Sequence, residues 1–350
     1  MNFVSRAYQW VRAHPGYATS AALLGGFVLD NLTLRRVDLF LENLVFAIYL
    51  AIVAIGTAYV EYYESRGARS RLAERVRTLV PLIIQFSLGN LMSGFFVFYS
   101  RSGSLWHSFP FLGFLALVMI GNEVLKNYYE RLVFRVGLLF LALYSFLIFH
   151  LPVVLGRMGA FIFLLSGLVS VILILIYGQW VSRFSREVAR ARRDIWLMVA
   201  GVVVIMNVFY FTNILPPIPL AMSSGDVYYS VERVGSDYLL EAPPLSWWEK
   251  IKIYPPIELK SGQKLFAYSA VFAPTKLSTT IVHHWQRYDE PSGEWVSAGR
   301  IAFPISGGRD QGYRGYSEKG SLAPGRWRVD VETARGQIIG RIRFRIAAVL

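Results

Sequence analysis

Seven apolar runs of about 17–25 residues dominate the first 215 residues, and no other feature constrains folding as much. They lie at 14–32, 39–60, 79–100, 107–125, 133–153, 158–180 and 194–214. Runs of this length match the hydrocarbon thickness of a bilayer when coiled as α-helix, which satisfies every backbone N–H and C=O within the segment. Composition agrees. Of 350 residues, 54% are hydrophobic and 17% charged, and mean hydropathy is +0.41, whereas soluble domains are about 25% charged. Arg6 and Arg12 precede the first run. No small-residue cleavage site follows Leu29, so the run reads as an uncleaved span rather than a signal peptide.

The net charge of +13 would suit a nucleic acid, but its distribution argues against one. Residues 1–215 hold 19 Lys+Arg and 10 Asp+Glu, and 18 of the 19 are Arg, mostly in short loops. Residues before the first run, with 61–78, 126–135 and 181–193, collect 15 of these; the alternate loops hold 4, at Arg35, Arg36, Arg101 and Arg157. Basic loops stay in the cytoplasm. The expectation is therefore a cytoplasmic N-terminus, about seven spans, and a C-terminal region outside, which in a bacterial inner membrane is the periplasm. Nucleic acid is not an expected partner. Cysteine is absent, which removes disulfides and thiolate metal sites. "VEYYESR" at 60–66 and "KNYYERL" at 126–132 repeat a Tyr-Tyr-Glu triplet 66 residues apart. This suits a duplicated helical hairpin, or simply the preference of Tyr and charge for the interface.

Polar groups within spans are costly and so mark function or packing. Gln85, Gly89 and Ser93 fall on one helical face, a pattern that suits close helix packing or a substrate path. A second set gathers at the outer ends of the spans: Asp30, Asp38, Glu42, His107, His150 and Arg157. In a compact bundle these would lie at one depth facing the periplasm. They could pair with one another in water, meet lipid headgroups, or in principle hold a hydrolytic metal. The ligands would come from separate helices, so no spacing supports the metal, and no metal or cofactor is expected.

After Gly225 the pattern changes to period two. Strands are expected at 226–233, 237–241, 264–273, 278–288, 294–303, 312–318, 326–333 and 337–346, with turns at 289–293 and Pro324-Gly325. In "RWRVDVE", Trp327, Val329 and Val331 face one way and Arg328, Asp330 and Glu332 the other. In "GRIRFRI", Ile342, Phe344 and Ile346 point in, while Arg341, Arg343 and Arg345 form an outward row. Such a row is either a solvated face or an anion-binding one. The predicted fold is thus a two-domain membrane protein. An all-α bundle of about seven transmembrane helices (1–215) and a linker (216–225) precede an all-β, immunoglobulin-like sandwich (226–350).

"VHHWQRYD", "EWV", "RGYSEKGSLAPGRWRVDVET" and "GQIIGRIRFRI" resemble the C-terminal bacterial family called domain of unknown function 2914, over about 280–346. The preceding polytopic region resembles the membrane segment that accompanies that domain. The resemblance implies a domain architecture, with His283, Trp285 and Trp327 as motif positions, and it implies no activity. His283 and Trp285 share one strand face, where His283 would pack beside the indole, and His284 takes the other. Ser317 and Lys319 could be read as nucleophile and base, although a lone Ser-x-Lys is a weak pattern.

"PPLSWWEKIKIYPP" at 243–256 breaks the strand pattern. Trp247, Trp248, Lys250, Lys252 and Tyr254 are the residue types that favour a headgroup layer or a partner surface. No nucleotide-binding loop, HExxH, GxSxG or dinucleotide fingerprint is present. The expected function is a non-enzymatic inner-membrane protein presenting a periplasmic β-sandwich to an envelope partner (protein, glycan or anionic lipid headgroup). The alternative is a membrane enzyme or carrier for lipid-linked substrates, working through the outer polar cluster.

Overall fold

The computed structural model describes Val28, Leu34 and residues 40–66, 71–103, 105–124, 132–235, 237–274, 277–308 and 312–349; for 71–78, 82, 105–107, 122–124 and 348–349 it describes the backbone alone. The chain is an N-terminal helical region followed by a strand-rich C-terminal domain. Two compact units divide it. The second comprises Thr212–Leu350 with the short segments Ser100–Phe109 and Pro152–Met158.

The helical unit contains α1 (Phe40–Ser65), α2 (Arg71–Arg101), α3 (Leu105–Val124), α4 (Leu132–Leu155), α5 (Ala160–Ser182), the short α6 (Arg186–Arg190) and α7 (Arg192–Phe211). Among the described residues, five segments are long and apolar enough to cross a membrane: Phe40–Ser65, Leu79–Arg101, Leu132–Leu155, Ala160–Ser182 and Arg192–Phe211. They correspond to five of the expected spans. The expected span at 107–125 corresponds to α3, whose described apolar stretch, Ser108–Gly121, is shorter. Apart from Val28, the expected span at 14–32 lies outside the described residues, as does the second Tyr-Tyr-Glu triplet.

Helix α4 is the inner helix of this unit, with Phe140, Tyr144 and Phe149 essentially inaccessible. Phe46 of α1 stacks on Phe95 of α2 at 5.2 Å and meets Phe149 edge-on at 5.8 Å. That ring fits because Gly94 has no side chain, and a Cβ there would collide with it, the close approach that small residues permit between apolar helices. Ser93 is buried beside it, so this face of α2 packs inward. Leu168, Ile176, Leu197 and Val204 are more than half exposed, as on a surface that meets lipid. Asn43, early in α1, bonds His150, late in α4; Glu61, late in α1, pairs with Arg135, early in α4. These two contacts at opposite ends make α1 and α4 antiparallel.

The strand-rich domain runs β1 (Ala221–Tyr228), β2 (Ser230–Val234), β3 (Asp237–Glu241), α8 (Trp247–Lys250), β4 (Pro256–Leu259), β5 (Leu265–Phe272), β6 (Ser278–Asp289), β7 (Glu294–Ser306), β8 (Tyr313–Lys319), β9 (Gly325–Thr333) and β10 (Ile338–Val349). Three strands order as β1-β5-β8 and five as β4-β10-β9-β6-β7; β2 and β3 form a separate ribbon. Only β4 and β10 pair in parallel among the described ladders. Both larger sheets supply one core, in which Val227, Ala267 and Val271 of the smaller sheet join Trp285, Val329, Val331 and Phe344 of the larger. The β6–β7 turn closes through Gly293 N–H on the Asp289 carbonyl at 2.9 Å, and Gly293 sits at φ 69°, where a side chain would strain the backbone.

Two boundaries differ from expectation. β1 begins at Ala221, inside the stretch read as linker, because pairing with β5 overrides the weak strand propensity of Ser223-Ser224-Gly225; a register shift between Met222 and Ser224 accommodates it. The strand β4 falls where proline pairs suggested irregular chain. Its parallel pairing with the end of β10 is a long-range contact that no local pattern records.

Candidate functional site

The outer face of the five-stranded sheet carries charge in cross-strand rows. Period two turns alternate residues of β6, β7, β9 and β10 outward, and register sets which of them meet. His284 lies opposite Arg300 on one side and Asp330 on the other, and Asp330 lies opposite Arg341. In the next row Gln286 lies opposite Arg328, which lies opposite Arg343; Arg326 lies opposite Arg345.

This face is not the uniformly solvated row that alternation suggests. Asp330 and Glu332 point outward yet are 3% and 4% exposed. Arg341 grips Asp330 in a bidentate pair, at 2.5 Å from Nε and 2.8 Å from its second nitrogen. Arg341 is therefore a structural partner of a buried carboxylate rather than a free cation. The guanidinium of Arg328 stacks over Trp295 at 4.3 Å and donates to Gln286 Oε1 at 2.5 Å. Arg326 lies over Tyr288 at 3.9 Å and pairs with Glu290. Tyr254, half-buried, lies near-parallel to Trp295 at 6.4 Å, so it belongs to this face and not to a free loop. Arg343 is half-buried, Arg345 is exposed, and neither has an ion pair among the described residues.

Several polar groups converge on His284. Gln286 accepts from Arg328 through Oε1, and its amide nitrogen lies 2.9 Å from His284 Nδ1. His284 Nε2 lies 2.9 Å from Ser297 Oγ. Burial first, then the Arg300 charge, holds His284 below the usual histidine range. Glu332 Oε1 lies 2.9 Å from His284 Nδ1 and 3.4 Å from Arg300. Burial pushes its carboxyl up to about 7, against the pull of Arg300. The face thus combines committed charge at its centre with two arginines on β10, Arg343 and Arg345, that have no ion pair among the described residues.

Beneath it lies a buried polar chain. Trp285 Nε1 donates to Ser317 Oγ at 2.9 Å, Ser317 meets His283 Nδ1 at 2.9 Å, and His283 Nε2 meets Ser269 Oγ at 2.8 Å. Burial lowers the His283 pKa to about 4. Ser317 is thus held between an indole and an imidazole. Lys319 donates instead to the Ala298 carbonyl at 2.6 Å, which the β6–β7 bulge frees from the ladder. The Ser-x-Lys pair is not brought together as nucleophile and base. Trp327 is buried and donates to the Ala323 carbonyl at 2.8 Å.

Trp247 and Trp248 stand on α8, 63% and 60% exposed, with their rings stacked at 3.5 Å. A capping box of Ser246 and Glu249 starts this turn of helix. Lys250 and Lys252 are exposed beside them. Of the outer polar cluster, Asp30 and Asp38 lie outside the described residues, and His107 is described only as a backbone position in α3. Glu42 is half-buried on α1, Arg157 is exposed, and His150 Nδ1 meets Asn43 Oδ1 at 2.8 Å. Sequence reasoning missed the buried pair of Glu61 and Arg135 at 2.8 Å, with Ser185 donating to Glu61 at 2.9 Å. The one available signal was a charge at the end of each run, Glu61 just after 39–60 and Arg135 just inside 133–153.

A family model described as a protein of unknown function (DUF2914) matches residues 278–346, which run from the start of β6 into β10. No curated relative matches the chain. Among solved structures, a β-glucosidase from Listeria innocua in complex with gluconolactone is 14% identical over 27% of this chain and 15% of its own, with TM-score 0.20; the same protein with glucose gives 15% and 0.20. The chain thus spans about 15% of the length of these two. The Pseudomonas fluorescens alkylpurine DNA glycosylase AlkC, bound to DNA containing an abasic site analog, is 11% identical over 90% of this chain and 99% of its own, with TM-score 0.23.

Proposed function

We propose that this chain is an integral inner-membrane protein of about seven spans whose bundle anchors a periplasmic, immunoglobulin-like β-sandwich. The sandwich meets an anionic envelope partner through the outer face of its larger sheet. The carrying observation is the arginine–aromatic face, with Arg343 and Arg345 uncommitted beside Arg326 and Arg328 stacked on aromatic rings. Guanidinium groups held flat by stacking recognise planar or tetrahedral anions with little further loss of freedom. The strand order supports the immunoglobulin-like reading: a five-strand layer with a parallel edge faces a three-strand layer, and a buried tryptophan, Trp285, sits on the larger sheet.

Residues 212–350 expressed alone are expected to sediment with vesicles containing phosphatidylglycerol at low salt, and to be released as salt screens the contact. Changing Arg343 and Arg345 to Gln should remove most of that binding. If Trp247→Ala with Trp248→Ala removes it instead, the α8 tip is the contact. If wild type stays in the supernatant at every salt concentration, lipid is not the anion and this form of the proposal fails.

Orientation has its own test. Alkaline phosphatase fused after residue 225 is expected to be active, and after residue 190 inactive, from the 15 to 4 division of basic residues between alternate loops. The reverse pattern would overturn the periplasmic placement.

A further inference from the structure

A groove of about 250 Å³ opens between α5, α6 and α7. Its deep end is apolar, walled by Ile174 of α5 with Ile195 and Val199 of α7; its mouth carries Gln179, Ser182 and Arg192. Along α5, Ile174 to Ser182 spans about 12 Å at helical rise. The groove is therefore graded from hydrocarbon-like to polar over the depth at which a bilayer makes the same change.

Arg192 lines the mouth. Arg183, Arg186, Arg190 and Arg193 belong to the same basic stretch of chain; all five are exposed, against Glu187 and Asp194, and none of the five has an ion pair among the described residues. Trp180, half-exposed, and Trp196, which lines the groove, stand at the same level, as aromatic residues do in the headgroup layer. The third wall is fixed in place. Ser185 caps α6 by accepting from Val188 N–H at 3.3 Å, and it donates to Glu61, which Arg135 holds at 2.8 Å. The buried ion pair thus positions the short helix that closes the groove.

We propose that this groove binds one anionic phospholipid. Its phosphate sits on Arg192 with the Gln179 amide as hydrogen-bond donor, while the Ser182 hydroxyl donates to the Gln179 backbone carbonyl at 2.8 Å, and one acyl chain runs along Ile174, Ile195 and Val199. Charge complementarity selects this occupant, since a basic pocket between membrane helices suits an anionic headgroup, and an apolar helix of a second copy would leave the arginines without counter-charge. The inference does not depend on which way the bundle faces, or on the function assigned to the β domain.

Full-length protein in a nonionic detergent tests it. Phosphatidylglycerol should raise Tm by several degrees, because a ligand bound only to the folded state stabilises it. Phosphatidylcholine with the same acyl chains should raise it much less. Native mass spectrometry should retain one phosphatidylglycerol per chain. Arg192→Gln removes the charge, and Gly178→Leu fills the groove, where a Cβ meets nothing within 4 Å. Each should abolish the phosphatidylglycerol increment while leaving Tm in detergent alone close to wild type. Equal stabilisation by both lipids overturns headgroup recognition. An increment that survives Gly178→Leu places the lipid elsewhere. A change of oligomeric state in Gly178→Leu assigns the groove to a second copy and overturns the proposal.

Discussion

Replacing Trp285 with alanine is expected to cost the β domain about 3–5 kcal/mol, the range for deleting a large aromatic side chain from a closed core. Trp285 is fully inaccessible, faces Phe344 edge-on at 6.2 Å, and donates its indole N–H to Ser317. Its loss therefore leaves both a cavity and an unfilled acceptor. Urea unfolding of residues 212–350 reads the effect as a lowered midpoint at unchanged slope. Trp295, whose ring stacks on Arg328 at the outer face, provides the contrast. Trp295→Ala should cost about 1 kcal/mol, the scale of an exposed cation–π contact. Equal costs at the two positions would mean that Trp285 is not a core residue.

Acid should destabilise the same domain through His283. Its ordinary pKa of 6.5 falls to about 4 in the folded state because burial disfavours the imidazolium, so the unfolded chain binds a proton that the folded one refuses. Its stabilising contribution is complete above pH 6.5 and is lost as pH falls through about 4; the gap corresponds to about 3 kcal/mol. Glu332 has the opposite sign. With its folded value raised from 4.5 to about 7, its contribution is complete below pH 4.5 and is lost as pH rises through 7. Comparing wild type with His283→Asn cancels the Glu332 effect. The urea midpoint of the variant should fall far less between pH 7 and pH 4 than that of wild type. Parallel pH profiles would remove His283 as the acid-sensitive group.

Much of the architecture was legible in the chain because it rests on periodicity and local sterics. Runs of hydrocarbon length located the described apolar helices to within a few residues. Period two placed Trp327, Val329, Val331, Ile342, Phe344 and Ile346 inside. The Asp289–Gly293 turn was readable because only a residue without a side chain closes it comfortably. The resemblance over 280–346 came from those same strands.

What the sequence by itself determined is which side of each element is apolar and where the chain turns, since both follow from the residues within one element. Only the tertiary structure decided which outward charges are free and which polar groups meet. Alternation put Arg341 and Arg343 on the same footing, but strand register set Arg341 against buried Asp330 and Arg343 against Arg328, with no ion pair for Arg343 among the described residues. Ser269, Ser317 and His283 come from three strands, and Glu61, Arg135 and Ser185 from the ends of separate helices; each trio exists only once sheet order or helix packing brings distant segments within hydrogen-bond reach. The physical reason is range. Hydrophobic periodicity is written every two to four residues, whereas a hydrogen bond across tens of residues leaves no local trace.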